Sequence, residues 1–404
     1  NSSKQKERVS FTMKIEIPYS DYLTRVERTQ AAMKESGVDA ILAFSHLSEP
    51  TYSRYYADFQ PAFETAGIWI PTTGAAVLLV GPESQDRAKK TSKLTFIKRM
   101  IAFREPATPR YEDNTFDTFK NLLSSTVEGK SLQRIGIGGW STIPREIFEE
   151  LAQTAREINA NVEFVSADVL LSTVCQIKSA FEISCILESA RITKLAMDAA
   201  IAAIQEGATG KQVKGAALAK MYQEGAEGES FCGWVTSGED TAYPIAWTTD
   251  RPFVDGDLIQ IEIGARFHGY SSVIGRAVVL GKANGVQAEL LQTVIGAKKQ
   301  VEKSFRTACH SQEIAESHRR YLKNVGKESW MAYGPCHGTG IVECELPWIE
   351  SATNFPLLEN MVFCMDIFLH DEKNKIGARY EDMVWITASG PQFITNYRNE
   401  IIEI

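Results

Sequence analysis

The chain has 404 residues, of which 44% are hydrophobic and 23% charged, with a formal net charge of -8. This length exceeds what one hydrophobic core usually serves, which predicts two domains or one domain with a large second lobe. The composition excludes a disordered chain. The net negative charge, and the lack of a stretch rich in basic residues, argue against a nucleic-acid partner. No apolar run reaches the roughly 18 residues of a membrane-spanning helix, so we expect no membrane partner.

The seven cysteines never form a CxxC pair. An odd number without such pairs predicts free thiols in a reducing compartment rather than a disulfide framework. The polar segment from Asn1 to Arg8 lacks the apolar stretch of a secretory signal. We therefore expect a cytoplasmic protein, in which residues 1–15 form a flexible arm.

The first half of the chain alternates helix-like and strand-like segments. A helix is expected over residues 19–36, ended by Gly37, and another from about Ser141 to Ile158. Strands are expected over five short apolar segments, at residues 39–44, 67–71, 75–80, 134–137 and 162–165. This alternation predicts an α/β N-terminal domain over residues 16–174.

The second half of the chain begins with sequence signals of helices. Ser179 and Glu182 have the spacing of a capping box, and apolar residues follow at steps of three and four to near Gly207. Thr209 and Gln212 repeat the capping signal. Two more helices are expected over about residues 287–305 and 311–325. We place the boundary near residues 172–178, which makes residues 175–404 the second domain.

A short internal repeat carries one carboxylate in each copy. Residues 256–263 align without gaps on residues 360–367, and each copy has a turn, an apolar strand and then Glu262 or Asp366. A carboxylate in so apolar a strand is costly unless it is paired, protonated or metal-bound. Two such strands predict a duplicated lobe whose acids meet across a pseudo-twofold axis.

At this point the sequence resembles the creatinase/prolidase/aminopeptidase P (M24) superfamily, which has the "pita-bread" fold. The matching segments are residues 256–264, 269–276, 337–347, and 361–366 together with 379–382. The resemblance implies an α/β N-terminal domain followed by an α+β pita-bread catalytic domain with a pseudo-twofold repeat. It also implies an enzyme, a hydrolase acting on C–N bonds.

The metal ligands of this family are altered here. In its metallopeptidases, two aspartates, one histidine and two glutamates hold two metal ions. Carried over in order, these positions are Glu262, Val273, His337, Asp366 and Glu381. Val273 stands where a two-metal centre needs a bridging carboxylate. The family's auxiliary histidine is also missing, because no histidine occurs between residues 231 and 250. The resemblance with these departures predicts a site without a metal cofactor.

The alternative is one divalent ion held by His337, Asp366, Glu381 and Glu262. A thiol could replace Glu262 as the fourth ligand, because Cys364 stands two residues before Asp366 and faces the same side of its strand.

Roles follow from the resemblance and from side-chain chemistry. His337 is expected to donate or accept a proton, with Glu381 and Glu262 anchoring a cation or orienting water and Asp366 supporting them. The expected substrate-binding residues are Trp234, Tyr243, Trp247, Asp240, Glu345 and Arg379. Aromatic faces interleaved with carboxylates suit a guanidinium, amidinium, quaternary ammonium or sulfonium group. The same aromatic residues equally suit packing at a dimer or domain interface.

The leading functional interpretation is a creatinase-like hydrolase of a C–N bond in a small cationic substrate, without the standard dinuclear site. The first alternative is a metal-dependent Xaa-Pro dipeptidase or aminopeptidase with a rebuilt metal centre. A lyase of the dimethylsulfoniopropionate-lyase type and a non-catalytic binding module are the others. The resemblance also implies a homodimer, because longer family members usually dimerise.

Overall fold

The computed structural model describes residues 15–112, 115–126, 132–306 and 308–404. The arm expected over residues 1–15 lies, except for residue 15, outside the described residues. The α-helices in this described part are α1 Tyr19–Ser36, α2 Thr51–Ala57, α3 Gln85–Thr91, α4 Phe119–Thr126, α5 Arg145–Ile158, α6 Asp168–Cys175, α7 Ala180–Ala202, α8 Gly210–Gln223, α9 Gly285–Ser304 and α10 Ser311–Asn324.

The strands fall into an N-terminal and a C-terminal group. The first group is β1 Ala40–Ser45, β2 Ala66–Pro71, β3 Val77–Val80, β4 Phe96–Arg99, β5 Arg134–Gly138 and β6 Glu163–Ser166. The second group is β7 Gly228–Glu229, β8 Trp234–Ser237, β9 Leu258–Ile263, β10 Ala265–Phe267, β11 Tyr270–Ser271, β12 Ile274–Val279, β13 Cys336–Gly338, β14 Glu345–Ile349, β15 Val362–Asp371, β16 Ile376–Thr387, β17 Gly390–Phe393 and β18 Ile402–Glu403.

The N-terminal strands form one mixed six-stranded sheet in the order β4-β3-β2-β1-β5-β6. Its centre is buried on both faces, so all six residues of β1 are buried and the strand reads as an almost continuous apolar run. Helix α1 ends as expected at Gly37, whose φ of 65° is the left-handed conformation that closes many helices. The predicted α/β character of this half is confirmed.

The larger C-terminal sheet has nine strands, with the path β14-β13-β15-β16-β12-β9-β8; β17 pairs with β16 and β18 with β12. The repeated strands β9 and β15 lie symmetrically outside the central pair β12 and β16. The predicted pseudo-twofold, pita-bread arrangement is therefore confirmed. The sheets lie within residues 40–166 and 228–403; the exact division between residues 174 and 175 stays a prediction.

Two predicted capping boxes start the helices that pack on the C-terminal sheet. Ser179 accepts a hydrogen bond from the backbone of Glu182, whose carboxylate in turn accepts from the backbone of Ser179. Thr209 and Gln212 form the same reciprocal pair at α8. Helix α7 ends at Ala202, earlier than expected, because the following segment turns so that the Gly207 N–H donates to the Phe253 carbonyl 2.9 Å away.

In the described part of the chain, no single helix is both long and apolar enough to cross a membrane. Helices α6 and α7 reach that length and hydropathy only as a pair, with a bend of 81° between them.

A buried histidine in α10 predicts that stability falls with acidification. His318 is 1% exposed, neither ring nitrogen has a hydrogen-bond partner among the described residues, and burial lowers its pKa from 6.5 to about 4. The unfolded chain therefore binds a proton at His318 more tightly than the folded protein does. We expect the free energy of unfolding to fall by about 2 kcal/mol from this residue between pH 7 and pH 5.

The measurement is urea unfolding at both pH values. His318→Leu should remove this part of the pH dependence, whereas the same replacement at the exposed His310 should leave it. An unchanged pH slope in His318→Leu would show that the histidine is not held neutral.

Candidate metal centre

Five neighbouring strands place the site residues in one row across the sheet. Asp366 on β15 pairs with Glu381 on β16, which pairs with Gly275 on β12; Gly275 pairs with Glu262 on β9. Trp234 on β8 pairs in turn with Glu262. Residues directly opposite each other in an antiparallel sheet present their side chains on the same face. The structure therefore brings together the two carboxylates of the internal repeat, with Glu381 between them.

A second group lies beside this row. His337 on β13 pairs with Cys364 on β15. The ligand atoms of His337, Glu343, Cys364 and Glu381 all lie within 4.8 Å of one another. Imidazole, thiolate and two carboxylates are ligand types that divalent transition metals accept. The arrangement can hold one metal ion.

The hydrogen bonding of His337 fixes which nitrogen is free to bind. Its Nδ1 lies 2.9 Å from the carbonyl oxygen of Gly338, which can only accept, so Nδ1 carries the proton. The Nε2 atom faces Glu343 and Glu381, at 3.3 and 3.9 Å. Burial alone would lower the pKa of His337, but Glu343, Cys344 and Glu381 raise it well above its ordinary value, so a metal ion at Nε2 would take the place of a proton. Metal-binding histidines are usually oriented in this way by a bond from the other nitrogen.

Glu381 provides the clearest indication that a cation belongs in the site. Its side chain is 1% exposed, and neither carboxylate oxygen has a hydrogen-bond partner among the described residues. Burial, reinforced by Asp366 and Glu343, raises the pKa of Glu381 well above its ordinary value. A buried carboxylate without donors is costly, and a bound cation would remove that cost.

Arg379 occupies the other side of the row. Its Nη1 is ion-paired with Glu262, and its Nε lies 3.0 Å from Oδ1 of Asp366. Its Nη2 donates to the Tyr333 hydroxyl at 2.6 Å, and that hydroxyl donates to the other oxygen of Asp366 at 2.6 Å. Burial lowers the pKa of Arg379 to about 10 and raises that of Asp366 to about 7. The guanidinium thus remains charged at neutral pH.

The expected substrate-binding residues are spread over different environments. Trp234 is buried, whereas Tyr243 and Trp247 are 59% and 77% exposed. The segment that carries them is connected to the site because Arg379 donates to the Pro244 carbonyl at 2.8 Å.

Two other expected substrate residues differ in their contacts. Asp240 is half-buried in a short 3-10 helix. Glu345 pairs with Lys178 at 3.3 Å and accepts from the backbone of Ile341 at 2.8 Å, so its carboxylate is already occupied. All of these binding roles stay predictions.

Glu343 and Tyr333 belong to the site but were not recognised in the sequence. Glu343 lies in the turn between β13 and β14, which pair antiparallel, so the reversal brings it back beside His337. A carboxylate six residues after the histidine, beyond a Gly-Thr-Gly turn, was the available signal. Tyr333 gave no comparable signal, because its position depends on the chain leading into β13.

Comparisons with known proteins agree with this architecture. The model of the metallopeptidase family M24 matches residues 184–388, and that of the creatinase/prolidase N-terminal domain matches residues 25–174. A Xaa-Pro dipeptidase of Pyrococcus furiosus is 27% identical over 380 residues, which cover 94% of this chain and 99% of that protein.

Solved structures give the same result. The prolidase of Pyrococcus horikoshii OT3 superposes with a TM-score of 0.78 at 25% identity, covering 94% of this chain and all of that one. An X-Pro aminopeptidase of Thermotoga maritima MSB8, at 22% identity, shares the fold with a TM-score of 0.79, over 94% of this chain and 99% of that one.

The fold and the donor set together define a two-part hydrolase of the pita-bread class. The M24 family model covers just over half of the residues, and the chain belongs to metallopeptidase family M24. As expected from the sequence, it is an enzyme, a hydrolase acting on C–N bonds.

The expectation of a site without a metal cofactor is wrong. The chain belongs to a metallopeptidase family, and four residues offer ligand atoms to one ion. The unpartnered oxygens of Glu381, and the Nε2 of His337 that faces the same group, fit such an ion. Asp366 and Glu262, which belong with His337 and Glu381 to the alternative ligand set, are ion-paired with Arg379. Their places in the four-residue group are taken by Glu343 and Cys364.

Proposed function

We propose that the protein is a metal-dependent peptidase of the Xaa-Pro dipeptidase type, with one divalent ion held by His337, Glu343, Cys364 and Glu381. The observation that carries the proposal is the convergence of these four ligand atoms within 4.8 Å. The curated relatives named as Xaa-Pro dipeptidases match over almost their whole length. When bound, such an ion polarises a carbonyl group and makes water a nucleophile at neutral pH.

The surrounding residues suit a short peptide. Glu343 is the most open member of the group, with 14% of its side chain exposed against 3% for His337 and 1% for Glu381. Substrate and water would therefore approach over Glu343.

Tyr243 and Trp247 offer exposed apolar faces on the segment joined to the site through Pro244. An apolar surface of this kind suits the ring of a prolyl residue.

The creatinase-like reading, with a small guanidinium or amidine substrate, is not supported by these relatives, whose names are those of peptidases. Membership of a hydrolase family likewise favours neither the lyase nor the non-catalytic binding module. A homodimer and a cytoplasmic location stay predictions.

Hydrolysis of dipeptides is the direct test. The protein, stripped with a chelator and reloaded with Mn²⁺, Co²⁺ or Zn²⁺, should release the N-terminal amino acid from Xaa-Pro dipeptides and lose activity when the ion is removed. The control panel contains Xaa-Ala dipeptides and guanidino compounds. Turnover of the guanidino compounds alone, or turnover of Xaa-Pro dipeptides that survives complete metal removal, would contradict the proposal.

A further inference from the structure

We propose that the guanidinium of Arg379 stands where a second metal ion would lie, between Glu262 and Asp366, so that the centre combines one metal ion with one built-in organic cation. The claim that the centre holds one metal ion rests on the proposed function. The claim that Arg379 occupies the place of a second ion rests only on the contacts of the protein's own residues.

The nitrogen atoms of Arg379 lie against oxygen atoms of four residues. The guanidinium is ion-paired with Glu262 through Nη1 and with Asp366 through Nε, and Nη2 donates to the Tyr333 hydroxyl and the Pro244 carbonyl. Each of its three nitrogens thus faces an oxygen. Only 3% of the residue is exposed. Glu262 and Asp366, the two carboxylates of the internal repeat, therefore share one resident cation.

The backbone is adapted to the path of this side chain. Arg379 and Glu381 are two residues apart on β16 and therefore face the same side. To reach Glu262, the stem of Arg379 must cross β12 at Gly275, which lies between Glu381 and Glu262 in the row. A Cβ atom at Gly275 would lie 2.9 Å from both Cγ and Cδ of Arg379. Glycine here leaves the space that the stem fills.

The position that could bridge two ions is apolar. Val273 is fully buried and belongs to the same hydrophobic cluster as Cys364 and Met383. It offers no ligand atom, so Glu262 and Asp366 lack the bridging carboxylate of a two-metal clamp. Removing the arginine alone would leave two buried carboxylates without a counter-charge, which is strongly unfavourable.

Aromatic rings complete the binding site of the guanidinium. The Cζ atom of Arg379 lies 5.4 Å from the ring centres of both Trp234 and Phe368. Both distances fall within the range of cation–π attraction, which favours arginine over other cations at such positions. Trp234 was expected from the sequence to contact a substrate cation. In the structure it contacts the guanidinium of Arg379 instead.

Metal stoichiometry tests this inference. Wild-type protein and the double variant Val273→Asp/Arg379→Ala are stripped, equilibrated with excess Mn²⁺, desalted and analysed for bound metal per chain. We expect one ion in the wild type and two in the double variant, because the variant restores a carboxylate at the bridge and removes the resident cation. Arg145→Ala, at an exposed arginine of α5, is the control and should retain one ion.

The outcomes separate this inference from the proposed function. Two ions in the wild type, or one in both proteins, would overturn the role of Arg379 while leaving a metal-dependent peptidase. No ion in the wild type but one in the double variant would support the role of Arg379 and contradict the single-ion centre. No ion in either protein would overturn both.

A measurement on the unaltered protein covers the case in which the double variant fails to fold. Anomalous diffraction from wild-type crystals soaked in Mn²⁺ should give one peak, among His337, Glu343, Cys364 and Glu381, with guanidinium density between Glu262 and Asp366. A manganese peak between Glu262 and Asp366 would overturn the inference.

Discussion

Glu381→Gln is expected to lower turnover of a Xaa-Pro dipeptide by about 10²-fold or more, the usual scale for loss of a group that acts on the reacting proton or charge. Glutamine has the same size but no negative charge, so the four-residue group loses a carboxylate ligand. We expect Mn²⁺ affinity to fall by more than about 10-fold, which is the lower limit even for residues that only support a ligand. Steady-state kinetics and Mn²⁺ titration measure the two effects.

The stability of the metal-free variant distinguishes this loss from misfolding. Burial raises the pKa of Glu381 well above its ordinary value, so the folded protein disfavours the ionised form. A neutral amide avoids this cost, and the melting temperature of metal-free Glu381→Gln should equal or exceed that of the metal-free wild type. Glu359→Gln makes the same change at an exposed residue and should keep both turnover and metal. Near-normal turnover in Glu381→Gln would place the reaction elsewhere.

Asp382→Asn is expected to cost about 3–5 kcal/mol of folding free energy, the scale for breaking a buried ion pair on one side. Asp382 is fully buried and lies 2.5 Å from Arg276 and 2.8 Å from Lys298, which are themselves 0% and 1% exposed. Its other oxygen accepts from Thr395 at 2.7 Å. Burial on its own would raise the pKa of Asp382, but Arg276 and Lys298 bring it below its ordinary value. The variant would therefore leave two buried cations facing a neutral amide.

Urea unfolding followed by tryptophan fluorescence measures this effect. Asp250→Asn is the matched control, because Asp250 pairs with Lys211 at 2.7 Å but is 75% exposed. An exposed ion pair contributes at most about 1 kcal/mol. A loss in Asp382→Asn no larger than that in Asp250→Asn would show that the buried network does not depend on its central charge.

The sequence alone determined the fold and the principal residues of the row. Capping boxes at Ser179 and Thr209 act within one helical turn, so they can be read locally. The internal repeat identified Glu262 and Asp366 because burying a carboxylate in an apolar strand imposes a physical requirement that is visible without coordinates. His337 and Glu381 came from the resemblance, and the structure places them within 3.9 Å of each other.

The tertiary structure decided which cation each carboxylate meets. From the sequence, Glu262 and Asp366 were expected as alternative metal ligands and Arg379 as a substrate-binding residue, since strand order and register were unknown. Pairing β16 with β12 places Gly275 beside Glu381 and opens the path along which Arg379 reaches Glu262. The β13–β14 reversal brings Glu343 to His337. The hydrophobic pattern of a strand restricts its register, but it does not specify which strands pair. Contacts between residues far apart in the chain therefore depend on a strand order that the local sequence pattern does not encode.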